Sequence, residues 1–130
     1  MTRLTRIPTV FDGLAPFASC PRLVRRQLAA HTDVLRPAPD AVLARRGAVA
    51  REVVVIVAGE VVLTREGRPP ARLGPGQSFG GEEVLAGTPH RHTIVAGRDV
   101  ELRVINGPAF LAAADHLPAL AAPLPLPRSA

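Results

Sequence analysis

The chain contains no tryptophan, no tyrosine and no lysine, and it has one cysteine, one methionine and four phenylalanines in 130 residues. Each scarcity closes a route. A lone cysteine, Cys20, excludes an internal disulfide, and no Cys–His spacing suited to a structural metal is present. Cys20 stands beside Pro21 at a helix start, where a thiol pKa could fall; no general base lies near it in sequence, and an inert thiol is expected. Without Trp or Tyr there is no aromatic platform on which unpaired bases could stack. No apolar run approaches the roughly 20 residues of a membrane-spanning helix. The opening stretch Met1-Thr2-Arg3-Leu4-Thr5-Arg6-Ile7-Pro8 has no apolar signal core, so a cytoplasmic chain without membrane insertion is expected. P-loop, dinucleotide-fingerprint and nucleophile-elbow motifs are also missing, which argues against an enzyme.

What remains is aliphatic and rich in arginine. The hydrophobic share of 47% is enough for one compact core built from Val, Leu, Ile and Ala, and 130 residues suit a single domain. All 16 basic residues are arginine, set against 11 acidic ones, for a formal charge of +5. Such a charge could serve a nucleic-acid or acidic partner. No basic run exceeds Arg25-Arg26 or Arg45-Arg46, however, so arginine standing in for lysine on ordinary surfaces is the simpler reading. Together with abundant Ala and Pro, it points to a GC-rich genome of the actinobacterial kind.

Three zones follow one another along the chain. From about Ile7 to Leu35 the spacing is helical: Phe11, Leu14 and Phe17 recur on one face, then Leu23, Val24 and Leu28 after Pro21, with Ser19 placed to cap. From Val34 to Ile105 the spacing is that of strands. Expected strands are Ala41–Ala44, Val53–Val57, Glu60–Thr64, Thr93–Ala96 and Val100–Ile105, separated by glycine-bearing turns. A helix is expected over Ala109–Ala114, ending near His116-Leu117-Pro118 because proline discourages helix in the residue before it. Residues 1–121 are read as one domain and 122–130 as a disordered, Pro-rich tail. Short strands with tight turns imply a small β-roll or barrel rather than a βαβ sheet.

The densest chemistry lies in Leu73-Gly74-Pro75-Gly76-Gln77-Ser78-Phe79-Gly80-Gly81-Glu82-Glu83 and in Thr88-Pro89-His90-Arg91-His92-Thr93. A glycine-rich turn entering one helical turn, followed by a cationic loop, makes an anion pocket with carboxylates beside it, the chemistry of a sugar phosphate. The order of these parts resembles the phosphate-binding cassette of cyclic nucleotide-binding domains. Further pieces are similar along roughly residues 7–121: Phe11-Asp12-Gly13-Leu14, Val42-Leu43-Ala44-Arg45-Arg46-Gly47, Val57-Ala58-Gly59-Glu60-Val61 and Asp99-Val100-Glu101-Leu102. The resemblance implies a mainly β fold with flanking helices, an antiparallel, jelly-roll-like β-roll, and a ligand such as cyclic AMP or cyclic GMP. It also implies candidate ligand-binding residues Phe79, Gly80, Gly81, Glu82, Glu83, Pro89, His90, Arg91, His92 and Thr93.

In that family a glutamate after Phe-Gly grips the ribose, and an arginine after proline pairs with the cyclic phosphate. Anchored on Phe79 and Pro89, those positions hold Gly81 and His90, while Glu82 and Arg91 each lie one residue later. A slip of one residue would restore both, but on a strand it would also turn Arg91 to the opposite face. A diverged cassette that binds the usual ligand weakly or not at all is the expectation. The leading reading is therefore a regulatory sensor module acting through a protein partner or as a homo-oligomer, without direct sequence-specific DNA binding. Its competitor is a ligand-free copy used for protein interaction or as a structural subunit. The His90-x-His92 pair keeps a metal-dependent, cupin-like enzyme as a third reading, although Ala96 and Gly97 stand where a further ligand would be wanted. Glu82 and Glu83 are adjacent and do not face each other as an acid–base pair would.

Overall fold

A computed structural model describes Phe11, Gly13, Leu14 and residues 17–124. Helix α1 (Arg22–Ala30) leads into β1 (Thr32–Leu35) and β2 (Val42–Ala44). Next come β3 (Glu52–Ala58), β4 (Val61–Arg65), β5 (Arg68–Leu73), β6 (Ser78–Phe79) and the short helix α2 (Gly81–Ala86). The chain continues with β7 (Thr93–Ala96), β8 (Glu101–Asn106) and α3 (Gly107–Ala113). A 3-10 turn at Ala114–His116 then precedes α4 (Pro118–Ala121). The strands form two four-stranded antiparallel sheets, in the orders β1-β8-β3-β6 and β2-β7-β4-β5. This is the expected mainly β roll with flanking helices.

Strand alternation makes two cores. On β3, Val54 and Ile56 face the inside of the roll with Leu63, Leu73, Ile94 and Leu102, while Val53 and Val55 face the helices. The helix-side core gathers Phe17, Leu28, Ile105, Phe110, Leu117 and Leu120 around them. Burying one such aliphatic side chain stabilises the fold by about 1.5–3 kcal/mol. Four consecutive buried residues, Val53 to Ile56, make β3 the strand shared by both cores.

Several elements differ from the sequence reading. Thr32–Leu35 is not helical: it pairs antiparallel with Leu102–Ile105 as the outer strand of its sheet, with three of its four residues exposed. Much of the first N-terminal helix expected before Ser19 falls outside the described residues, but Phe11 and Phe17 are buried with ring centroids 4.4 Å apart. Strand β5 went unread because Pro69 and Pro70 supply no N–H. It is tolerated as an edge strand, beside an irregularity in its pairing with β4. Pro118 does not end the helical zone but opens α4, where its fixed φ suits a first-turn position. Helix α3 starts two residues earlier than expected, because the Asn106 side chain caps it by accepting from the Ala109 N–H at 2.8 Å.

Candidate functional site

The cassette opens on Gly80, whose φ of +93° lies in the left-handed region. A Cβ there would strike the Glu52 carbonyl of β3, so only glycine lets the chain turn so close to the sheet. Gly81 begins α2 and is buried, and a Cβ on it would collide with the Leu120 carbonyl of α4. Gly81, the glutamate position if Phe79 is the anchor, thus lies directly against backbone from the C-terminal segment. Helix α2 ends on Gly87 at φ +71°, with the Thr88 N–H donating to the Glu83 carbonyl at 3.0 Å.

The loop after α2 is clamped from the other side. Pro89 forms an isolated bridge with Val49; His90 N–H donates to the Ala48 carbonyl at 2.9 Å, and Gly47 N–H donates to the His90 carbonyl at 2.8 Å. These contacts hold Pro89 in place, and the side chains after it alternate. His90 is turned inward, its side chain 12% exposed and its Nδ1 3.9 Å from Glu83 Oε2. Arg91 is turned outward, 58% exposed, with Nη1 2.9 Å from Glu82 Oε1. Glu83 is the one buried charged residue among those described, and its Oε2 also accepts from the Arg91 N–H at 3.4 Å.

His92 and Thr93 serve the roll. Thr93 Oγ1 accepts from the Arg46 N–H at 3.1 Å, and its carbonyl accepts from Thr64 Oγ1 at 3.0 Å. Burial pushes the His92 imidazole below its ordinary pKa; Glu83 opposes this, and the cations Arg46, Arg65 and Arg91 reinforce it. No group of three or more His, Cys, Asp or Glu is placed to hold a metal among the described residues. Cys20 is buried, and burial raises its thiol pKa against the smaller, lowering effect of Arg25, the reverse of an activated nucleophile.

The ten candidate residues are therefore not assembled around one space. Phe79, Gly80, Gly81, Glu82 and Glu83 line a cavity of about 150 Å³ whose other wall is the C-terminal stretch from Ala119 to Leu124. His90 lines a second cavity, about 250 Å³, with Val42, Arg45, Val49 and Arg51, and Phe79 borders both. Arg91 reaches over the surface to Glu82. A larger, open hollow of about 740 Å³ beside Arg36, Asp40 and Arg98 shares no residue with the cassette. Glu101 on its wall is paired with Arg36 at 2.8 Å and with Arg103 at 3.0 Å, and their hydrogen bonds hold its carboxyl below the usual range. The residues that sequence reasoning missed are Leu120 and Leu124. The spacing Leu117, Leu120, Leu124 was a helical signal, masked by Pro118 and Pro123.

Two antiparallel sheets rolled around an aliphatic interior, with a short helix inserted between β6 and β7 and helices packed on one side, define a β-roll with flanking helices. A family model for the cyclic nucleotide-binding domain matches residues 35–116, and the chain belongs to that family. Among curated proteins none matches the chain significantly. Among solved structures, it is similar to the regulatory domain of Toxoplasma gondii protein kinase A with cAMP. The identity is 15% and the TM-score 0.75, over 83% of this chain and 44% of that one. It is similar to the regulatory subunit of a cAMP-independent protein kinase A from Trypanosoma brucei at 17% identity and TM-score 0.77, over 83% and 40%. It also resembles a cAMP-binding acyltransferase from Mycobacterium smegmatis at 26% identity and TM-score 0.64, over 82% and 37%. The chain spans less than half the length of each of these three proteins. Among the described residues no helix is long and apolar enough to cross a membrane.

Proposed function

We propose that this chain is a non-catalytic regulatory module of the cyclic nucleotide-binding type. In this reading its cassette binds cyclic AMP or cyclic GMP weakly or not at all, and it acts through a protein partner or a second copy of itself. The observation that carries the reading is the internal use of the cassette's charges. Arg91, the one arginine in the loop, is paired with Glu82 on the surface, and Glu83 lies buried beside His90. A cyclic phosphate would have to displace the exposed pair, which itself contributes no more than about 1 kcal/mol. It would also have to approach a buried carboxylate of its own sign. A bidentate arginine–phosphate contact is hard to replace, and histidine at the inward position supplies at most one N–H to a ligand from each ring nitrogen.

Structures similar in fold include both a cAMP-bound regulatory domain and a subunit of a cAMP-independent kinase, so the roll alone is compatible with either outcome. The test is thermal melting of the purified chain with cyclic AMP, cyclic GMP and a 5′-nucleotide control. A ligand at about one hundred times its Kd adds about 2.7 kcal/mol, a shift of several degrees for a domain of this size. Shifts under about 2 °C at millimolar ligand are expected. A larger shift specific to one cyclic nucleotide would instead make the module a working nucleotide sensor.

A further inference from the structure

In sequence no basic run exceeds two residues, but the register of the second sheet collects arginines that lie far apart in the chain. Ala44 pairs with Ile94, Thr64 with Thr93, and Arg65 with Arg68. The end of β2, the start of β7, the end of β4 and the start of β5 therefore meet at one end of the sheet. Arg45 and Arg46 leave β2 there, Arg91 precedes β7, Arg65 closes β4 and Arg68 opens β5. Three inter-strand steps of about 4.8 Å make a strip about 14 Å wide. The Arg46 N–H donates to Thr93 Oγ1 at 3.1 Å, and Thr64 Oγ1 donates to the Thr93 carbonyl at 3.0 Å, which ties the strand ends together. After burial, and against Glu83, Arg46, Arg65 and Arg91 each lower the His92 pKa, so three of the cations lie close around one side chain.

The strip is only partly neutralised. Arg46 pairs with Glu66 at 2.6 Å, their side chains 63% and 83% exposed, and Arg91 pairs with Glu82 at 2.9 Å. Arg65 is braced across the hairpin, its Nε and Nη2 donating to the Pro69 carbonyl at 3.0 and 2.7 Å. The side chains of Arg45 and Arg68 are exposed and have no partner among the described residues. We propose that this arginine strip is a docking surface for an extended, acidic segment of a partner protein, whose carboxylates pair with Arg45, Arg68 and Arg46. Glu66 and Glu82 already show the chemistry from within the chain, since the strip's own ion-pair partners are carboxylates. Guanidinium groups hold carboxylates by charge-assisted, often bidentate hydrogen bonds, and an exposed pair such as Arg46–Glu66 is weak enough to exchange for an incoming one. Two features favour a peptide over nucleic acid. All four phenylalanines are buried, so no ring is exposed for bases to stack on. The strip consists of strand ends and turns, with no helix among its residues to enter a groove. At about 3.3 Å per residue, four or five extended residues span it. The proposal gives a chemistry to the protein partner of the regulatory reading and rests on that reading for there being one, but it does not depend on whether a nucleotide binds.

The test titrates the 130-residue chain, without nucleotide, into three fluorescent probes and reads anisotropy. The first probe is a peptide of about ten alternating Asp and Ser residues, which places its carboxylates on one face when extended. The second has Asn in place of Asp, and the third is a DNA duplex of random sequence. The acidic peptide is expected to bind, the Asn peptide not to, and the affinity to fall about fivefold or more between about 50 and about 300 mM NaCl. The double variant Arg45→Gln/Arg68→Gln should weaken binding about tenfold. The double variant Arg22→Gln/Arg26→Gln removes the same charge from exposed positions on α1 and should change binding less than about twofold. Equal affinity for the acidic and Asn peptides would overturn the proposal. So would equal losses in the two variants, which would make the attraction a property of net charge rather than of the strip. Tighter binding of the duplex than of the acidic peptide, lost in Arg45→Gln/Arg68→Gln, would assign the strip to nucleic acid and refute the peptide assignment. Because no nucleotide is present, a cyclic-nucleotide shift in the melting experiment above would revise the cassette's role and leave these results standing.

Discussion

Replacing Gly81 with alanine adds one methyl group at the point where the cassette meets the C-terminal segment. On propensity alone the change should help, since alanine is favoured over glycine within a helix by about 0.5–1 kcal/mol. Gly81 has no left-handed φ that would penalise a side chain. The opposing effect is steric: the new Cβ meets the Leu120 carbonyl, which is backbone and cannot rotate aside as a flexible side chain would. Leu120 is itself 2% exposed and held in the helix-side core, so α4 has to shift as a unit. Overpacking of this kind costs about 1–3 kcal/mol. The net expectation is a loss of about 1–2 kcal/mol, or a fall in Tm of about 5 °C, read by thermal or urea denaturation. Gly74→Ala is the control, because a Cβ there meets nothing within 4 Å and its φ is not left-handed. A Gly81→Ala protein as stable as the unaltered chain would refute the seating of α4 on the cassette.

Three further outcomes follow from the same geometry. His90→Ala should cost about 1–2 kcal/mol by emptying the space of a nearly buried ring, whereas Arg91→Ala should stay within about 0.5 kcal/mol because its pair is largely exposed; denaturation of both variants checks the order, and the reverse order would mean that the two side chains point the other way. Burial holds the His92 pKa below its ordinary value, so the folded chain binds fewer protons than the unfolded chain as pH falls. The stability this lends is complete above about pH 6.5 and is lost as pH drops toward the folded-state pKa; His92→Gln should flatten the curve between about pH 7 and 5, and an identical slope in the variant would exclude the residue. Asn106→Ala should weaken the α3 cap by about 1 kcal/mol, visible as a Tm loss of a few degrees that Asn106→Asp restores in large part.

Much of the roll was legible because its central strands obey simple physics. Val53 to Val57 and Val100 to Ile105 are β-branched and aliphatic runs between glycine turns, and they became β3 and β8 nearly to the residue. Strand β5 was hidden because two prolines read as a breaker, and only its place at a sheet edge makes Pro69 and Pro70 acceptable. Strand β1 was hidden because Thr32 to Leu35 continue a helical apolar spacing, and its pairing partner lies some seventy residues away in β8. The cassette was recognisable, but its register was not. The spacing between Glu82 and Arg91 equals that between Gly81 and His90, so no local rule could choose between the two. Tertiary contacts set which side chains turn inward: Pro89 bridges Val49, and Gly81 lies under the Leu120 carbonyl.

In the proposed reading the cassette's charged groups are paired within the chain, and a cyclic phosphate binds weakly or not at all. Isothermal titration of the 130-residue chain with cyclic AMP and cyclic GMP tests this most directly. The expected result is heat no greater than dilution for either nucleotide, corresponding to a Kd above about 1 mM. A saturable isotherm with a Kd of about 10 μM or lower, abolished by Arg91→Ala, would contradict it and return Arg91 to the ligand.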